Sequence, residues 1–211
     1  MRKALIALGV AVVVLVAADF GLRALAQYWV AGQLQSSFGL ESRPSVSLGG
    51  FPFLPRLIAG RFPAVTVESR SGLKESDFPM ASVDLTLRDV RFPADQLLFG
   101  NKATIRAKGG SGTAILTEED INRAFPATIP ITVRLVGGEV RIRVPGVQTE
   151  VRTRLRVADN RLLIGPVGPL PVEVGVRLPE LLPGLTYTGV KIEDSKARLT
   201  FTLVNPSIRV A

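Results

Sequence analysis

The densest acidic run in the chain is Glu118-Glu119-Asp120, directly after Thr117. Two carboxylates converging on one cleft can carry out general acid–base hydrolysis unaided. The same four residues also read as a helix start, with a capping hydroxyl followed by acids over the positive end of the dipole. That second reading is adopted. Other catalytic constellations fail on composition, because the chain has no Cys and no His. A Ser-His-Asp triad, a thiol nucleophile and the usual zinc sites all need one or the other. The chain is expected to be no enzyme and to hold no metal or cofactor, with a glycan-processing enzyme that works through carboxylates alone as the distant alternative. Gly109-Gly110-Ser111-Gly112 has the look of a phosphate loop but lacks the Lys and Ser or Thr that complete one. Lying between strand-like segments, it is read as a hairpin turn. Asn205-Pro206-Ser207 is disqualified as a glycosylation acceptor by its proline.

Two constellations remain that could bind rather than react. Residues 49–61 read Gly-Gly-Phe-Pro-Phe-Leu-Pro-Arg-Leu-Ile-Ala-Gly-Arg. Pro52 and Pro55 fix φ and remove donors, so the segment is stiff. Leu54, Leu57 and Ile58 have the spacing of one amphipathic helical turn, which Gly60 stops. Phe51, Phe53, Leu54, Leu57, Ile58 and Phe62 are the candidate mouth of an apolar groove; a plug of the β core fits the same residues. The second constellation is cationic. The chain carries 26 Lys and Arg against 18 Asp and Glu, a formal charge of +8. Arg134, Arg141, Arg143, Arg152, Arg154, Arg156 and Arg161 alternate with apolar residues along two adjacent hairpins. Planar guanidinium groups grip phosphate in a bidentate way, which suits a lipid phosphate or an anionic leaflet. Arg141, Arg143, Arg152, Arg154 and Arg156 are the candidate headgroup or membrane contacts, with a solvated strand face as the alternative. No aromatic residues are interleaved with them, so no nucleic-acid partner is expected.

These groups must be held by strands. Val83, Leu85 and Leu87 alternate with Asp84, Thr86 and Arg88. The same period runs through Val133 and Leu135; Val140, Ile142 and Val144; Val151, Thr153, Leu155 and Val157; and Leu199, Phe201 and Leu203. Gly137-Gly138 and Asp159-Asn160 supply turns. Alternation of this kind predicts a mainly antiparallel sheet, apolar on one face and wet on the other. Helices are expected only to about residue 37, near Leu57, over residues 117–125, and as one turn over residues 179–182. That is too little helix to cover the apolar face. The sheet must fold on itself, pair with a second sheet, or curl round the first helix and a ligand. Curling would leave an aliphatic lumen suited to acyl chains.

The first helix begins with Arg2 and Lys3, followed by an apolar run over residues 4–18 that Asp19 closes. Fifteen residues fit a signal's apolar region and fall short of a self-sufficient span. The apolar character continues through Phe20, Gly21 and Leu22, so an uncleaved signal anchor is expected over residues 1–22. A small-x-small pattern at Ala24-Leu25-Ala26 leaves cleavage open. Residues 23–43 would then be a helical extension and residues 44–211 one β-rich domain. The basic flank places that domain on the extracytoplasmic, periplasm-like side of the cell membrane.

The stretch at residues 49–61, followed by Ala64-Val65-Thr66-Val67-Glu68, resembles the LmeA-like envelope proteins of actinobacteria. So do the anchor ending at Asp19 with its helical extension, and Leu178-Pro179 with Pro183-Gly184-Leu185 leading into Val190-Lys191-Ile192. The resemblance implies a fold similar to tubular lipid-binding proteins, with a curved sheet wrapped around a helix. It also implies a membrane-associated, non-enzymatic protein that binds phospholipid and supports envelope lipid or lipoglycan maintenance; the arginines make an anionic, phosphatidylinositol-type phospholipid the expected partner. The reading from another class is a structural scaffold with a filled core that binds protein partners through its basic face.

Overall fold

The computed structural model describes residues 2–37, 39–70, 80–93, 103–125, 131–143, 150–165 and 173–210. Val144, expected to end a strand, lies outside them. Among the described residues the chain is mainly β, with curved, unclosed antiparallel sheets and a long N-terminal helix, as the alternation predicts. Helix α1 spans Arg2–Ser37. Strand β1 (Ser45–Leu48) leads through the stiff loop into α2 (Phe53–Ile58), which runs into β2 (Arg61–Ser69). Pro55 costs α2 nothing, since N–H groups in a first turn have no intrahelical partner. Gly60 ends the turn at φ +63°, a conformation that suits a residue without Cβ.

An eight-stranded sheet follows the order β1-β2-β3-β5-β12-β11. Its further members are β3 (Ser82–Arg91), β5 (Gly109–Leu116), β11 (Leu185–Glu193) and β12 (Lys196–Val204). β4 (Ala103–Arg106) joins the end of β3, and β13 (Ser207–Val210) pairs with β4. A five-stranded sheet, β10-β9-β8-β7-β6, is built from β6 (Thr132–Val136), β7 (Glu139–Arg143), β8 (Val151–Ala158), β9 (Arg161–Gly165) and β10 (Val174–Arg177). Gly137-Gly138 and Asp159-Asn160 turn its hairpins with positive φ at both residues, the backbone that two-residue hairpin loops require. Asn160 also ties the sheets together: its side chain accepts from the Tyr187 N–H and donates to the Leu185 carbonyl.

Two local expectations are corrected. Residues 109–112 are no turn; they open β5, which lies between β3 and β12. Their glycines answer to close neighbours, since a Cβ on Gly112 would overlap the Phe201 ring and the Asp84 carbonyl. Residues 179–182 form no helical turn; 179 and 180 are irregular and 181 and 182 bend. Pro183 explains this, because the residue before a proline is driven out of the helical region.

The acidic run builds structure throughout. Thr117 caps α3 (Glu118–Ala124) in a reciprocal box with Asp120. The Leu135 N–H donates to Glu118 at 2.6 Å, and Glu119 pairs with Arg123. Asn122 donates to the Val133 carbonyl at 2.9 Å and accepts the Val133 N–H at 2.7 Å. Side chains of α3 thus satisfy the backbone of β6 where no further strand pairs with it among the described residues.

Candidate functional site

The concave side of β2 and β3 is not filled. A cavity of about 410 Å³ lies between that face, α2 and the second half of α1. Val65 and Val67 from β2, and Val83, Leu85, Leu87 and Val90 from β3, form its floor. Ala26, Trp29, Val30 and Leu34 close it from α1, and Leu181 and Leu182 from the bend before β11. Gln33 and Ser69 are the polar residues in the lining, apart from the Trp29 indole N–H. The cavity reaches the surface, as Trp29 lines it while remaining 60% exposed. Its volume falls in the range of about 300–1,000 Å³ typical of small-molecule sites. Water gains few hydrogen bonds against such walls, so an apolar occupant is favoured.

The stiff loop divides between inside and outside. Phe53 and Phe62 are buried and stacked at 5.5 Å, and Phe62 stacks on Phe92 at 5.6 Å. Phe53, Phe62 and Leu57 all line the cavity. Leu54 is half-buried, while Phe51 and Ile58 are exposed away from the lining. Phe51 instead stacks on Phe20 of α1 at 5.9 Å. One side chain fixes the loop to the helix. Asp19, buried on α1, accepts the Phe53 N–H on Oδ2 and the Leu54 N–H on Oδ1, each at 2.8 Å. It satisfies the free donors at the start of α2 from a distance of 34 positions in the chain.

The family model described as LmeA-like phospholipid-binding matches residues 17–202, a range that holds Asp19, the loop and the cavity lining apart from Ile208. The chain belongs to that family. No curated protein and no solved structure matches it. Among the described residues of this LmeA-like protein, the cavity is a space whose lining is almost wholly apolar.

The arginine-rich strands of this LmeA-like chain lie on the five-stranded sheet, and acids accompany them. Arg141 faces Arg134 on one side and Arg152 on the other. Glu150 lies within ion-pair range of Arg143, Arg134 and Arg141, at 3.2, 3.6 and 3.9 Å. Glu139 reaches Arg152 and Arg141 at 3.5 and 3.8 Å. Arg156 pairs with Glu173 and holds that carboxyl below its ordinary range by hydrogen bonding. Arg154 has no carboxylate partner among the described residues.

A second basic cluster escaped the sequence reading. Arg61, Arg91 and Arg106 lie opposite one another on β2, β3 and β4, at the end of the sheet where α2 enters. Asp89 pairs with Arg61 at 2.9 Å, Arg91 at 3.4 Å and Lys108 at 3.9 Å. Burial alone would raise the Asp89 carboxyl, but hydrogen bonds from Arg91 and Arg61 hold it below its ordinary value. Asp89, Arg91, Arg106 and Lys108, with Asn205 and Ser207, line an open polar recess of about 470 Å³. No contiguous run announces this cluster, because each cation comes from a different strand end or connection. The helical wall of the cavity left a fainter mark: Ala26, Val30 and Leu34 recur at helical spacing beyond the apolar run.

Proposed function

We propose that this protein is a non-enzymatic phospholipid holder of the cell envelope that takes acyl chains into the cavity between α1, α2 and the β2–β3 face. The observation that carries the reading is an apolar cavity of about 410 Å³ in a chain of a phospholipid-binding family. A filled core, which the scaffold reading needs, is what the five-stranded sheet has and the β2–β3 face lacks. In this reading residues 1–22 are a signal anchor, residues 23–43 a helical extension that walls the cavity, and residues 44–211 the lipid-binding domain. Among the described residues α1 is the helix long and apolar enough to cross a membrane. Arg2 and Lys3 on the retained side would leave the domain extracytoplasmic. Phe53, Leu57 and Phe62 are the acyl-chain contacts, and Phe51, Leu54 and Ile58 are the outer lip of the mouth. Arg141, Arg143, Arg152, Arg154 and Arg156 offer one surface for an anionic, phosphatidylinositol-type phospholipid. Holding or handing on such lipid would serve envelope lipid or lipoglycan (lipomannan-type) maintenance.

The test is native mass spectrometry of the full chain released from detergent. Phospholipid adducts are expected on the wild type. Val67→Phe combined with Leu85→Phe, which puts bulk into the cavity, should remove the adducts and leave the β-sheet circular dichroism unchanged. A folded wild type with no adduct, or a filled variant that keeps it, would sink the acyl-chain reading.

A further inference from the structure

We infer that the end of the eight-stranded sheet carrying α2 is a membrane-docking face, with an apolar wedge that enters the leaflet next to the anchor and a basic recess that takes anionic phospholipid headgroups. The inference rests on the reading of α1 as an anchor and adds a surface to it. Asp19 touches the start of α2, and residues 26–34 of α1 continue along the cavity. Residues 2–18 therefore project beyond the loop end of the sheet, and they are exposed throughout. The apolar run over residues 4–18 covers only about 22 Å at 1.5 Å per residue, against a hydrocarbon core of about 30 Å. Filling the core draws Asp19, Phe20 and Leu22 to the boundary. A carboxylate there is costly unless paired, and both Asp19 oxygens accept N–H groups from α2. The loop is bound to the helix at that depth. Phe51, stacked on Phe20, and Ile58, 73% exposed, then meet lipid instead of water.

Charge supports the same face. Four cations, Arg61, Arg91, Arg106 and Lys108, surround one carboxylate, Asp89. Asp89 is the carboxylate that reaches Arg61, Arg91 and Lys108, so most of the positive charge at this end is left for an anionic partner. The rim thus keeps a net positive charge and sits beside the wedge, at the height where leaflet phosphates would lie.

The chain has no Cys, so a single probe can be placed anywhere on it. Full-length Ile58→Cys and Lys191→Cys, each carrying an environment-sensitive fluorophore, are reconstituted in nanodiscs of phosphatidylcholine alone or with phosphatidylglycerol. The probe at position 58 should emit to the blue and be quenched by spin-labelled acyl chains, most strongly in the anionic discs; the probe at 191 should stay aqueous. Replacing Arg61, Arg91, Arg106 and Lys108 with Gln should remove the anionic preference. Replacing Arg123, Arg177, Lys196 and Arg198, cations outside the recess, with Gln should leave it. An aqueous probe at position 58, or a preference that survives the rim change and falls only with Arg141, Arg143, Arg152 and Arg154, overturns the inference. Adducts measured on the same preparations separate the two ideas, since cavity lipid can vanish while docking persists, and the reverse. The intact mass shows in the same sample that residues 1–22 are present.

Discussion

The two sheets share one alternation of apolar and polar residues and arrive at different interiors. On the five-stranded sheet, Val133, Leu135, Val140, Ile142, Leu162 and Ile164 are sealed at 0–1% exposure. On β2 and β3, Val65, Val67, Val83 and Leu85 are only half-buried, because they face the cavity. The cause lies in what is set against each face. Helix α3 packs directly on β6 and β5, and β8 lies against β11. Opposite β2 and β3, α1 rests on β1 and on α2, and α2 rests on β2, so the helices meet the sheet at its margin and leave the space between open. Period-two patterning decides which face is apolar; the partner laid on that face decides whether it is core or container.

That contrast can be broken most directly by truncation. Ile142→Ala removes packed atoms from a filled interior and should cost about 2–5 kcal/mol in urea unfolding, with lipid content per folded molecule unchanged. Leu85→Ala removes atoms that already border open space, so its cost should be clearly smaller while lipid retention falls. Equal costs would mean that the β2–β3 face packs as tightly as its counterpart. Stripping lipid from the wild type comes next. A ligand bound only to the folded state stabilises it by mass action, so delipidation should lower the thermal midpoint. Faster hydrogen exchange should then be confined to β2, β3 and α2, and exchange that quickens equally in β6–β9 would erase the distinction.

A smaller effect sharpens the boundary between the regions. Asp19→Ala leaves the Phe53 and Leu54 N–H groups without their acceptor, a loss of about 1–3 kcal/mol for buried groups. Exchange at those two amides should rise with β6–β9 unaffected. The smallest effect belongs to the ladder. Arg156 holds the Glu173 carboxyl low, so the unfolded chain binds more protons than the folded one in the acid range. The stabilisation is complete above the ordinary Glu range and is lost as pH falls through the lowered value. Because the pair is exposed, Glu173→Gln should flatten the acid limb of stability only slightly.

Strands, hairpin turns and the capped α3 were legible because their signals are local: alternation, Gly-Gly or Asp-Asn pairs, a hydroxyl before acids. The glycine run was misread for a physical reason. Glycine marks either a bend or a close approach, and only Phe201, about ninety positions later, shows that close approach applies. The loop was legible as apolar and stiff, but not that Phe53 and Phe51 would point to opposite sides. Asp19 was visible only as the stop of an apolar run; its partners are 34 and 35 residues away. The arginine ladder was conspicuous because it is contiguous, whereas the acids that offset it arrive from neighbouring segments. The rim shows the converse, with four cations that only strand pairing brings together.

Because α1 runs unbroken from Arg2 to Ser37 and Asp19 stitches it to α2, the domain has no joint where it meets its stalk. A module on a flexible tether explores a volume set by linker length; this one is closer to a bracket than to a leash. With the stalk seated in a bilayer, the cavity keeps a fixed height and bearing. On the anchored reading proposed above, it would serve only lipids that diffuse laterally to its foot, and two-dimensional encounter in the host membrane would set its rate of loading.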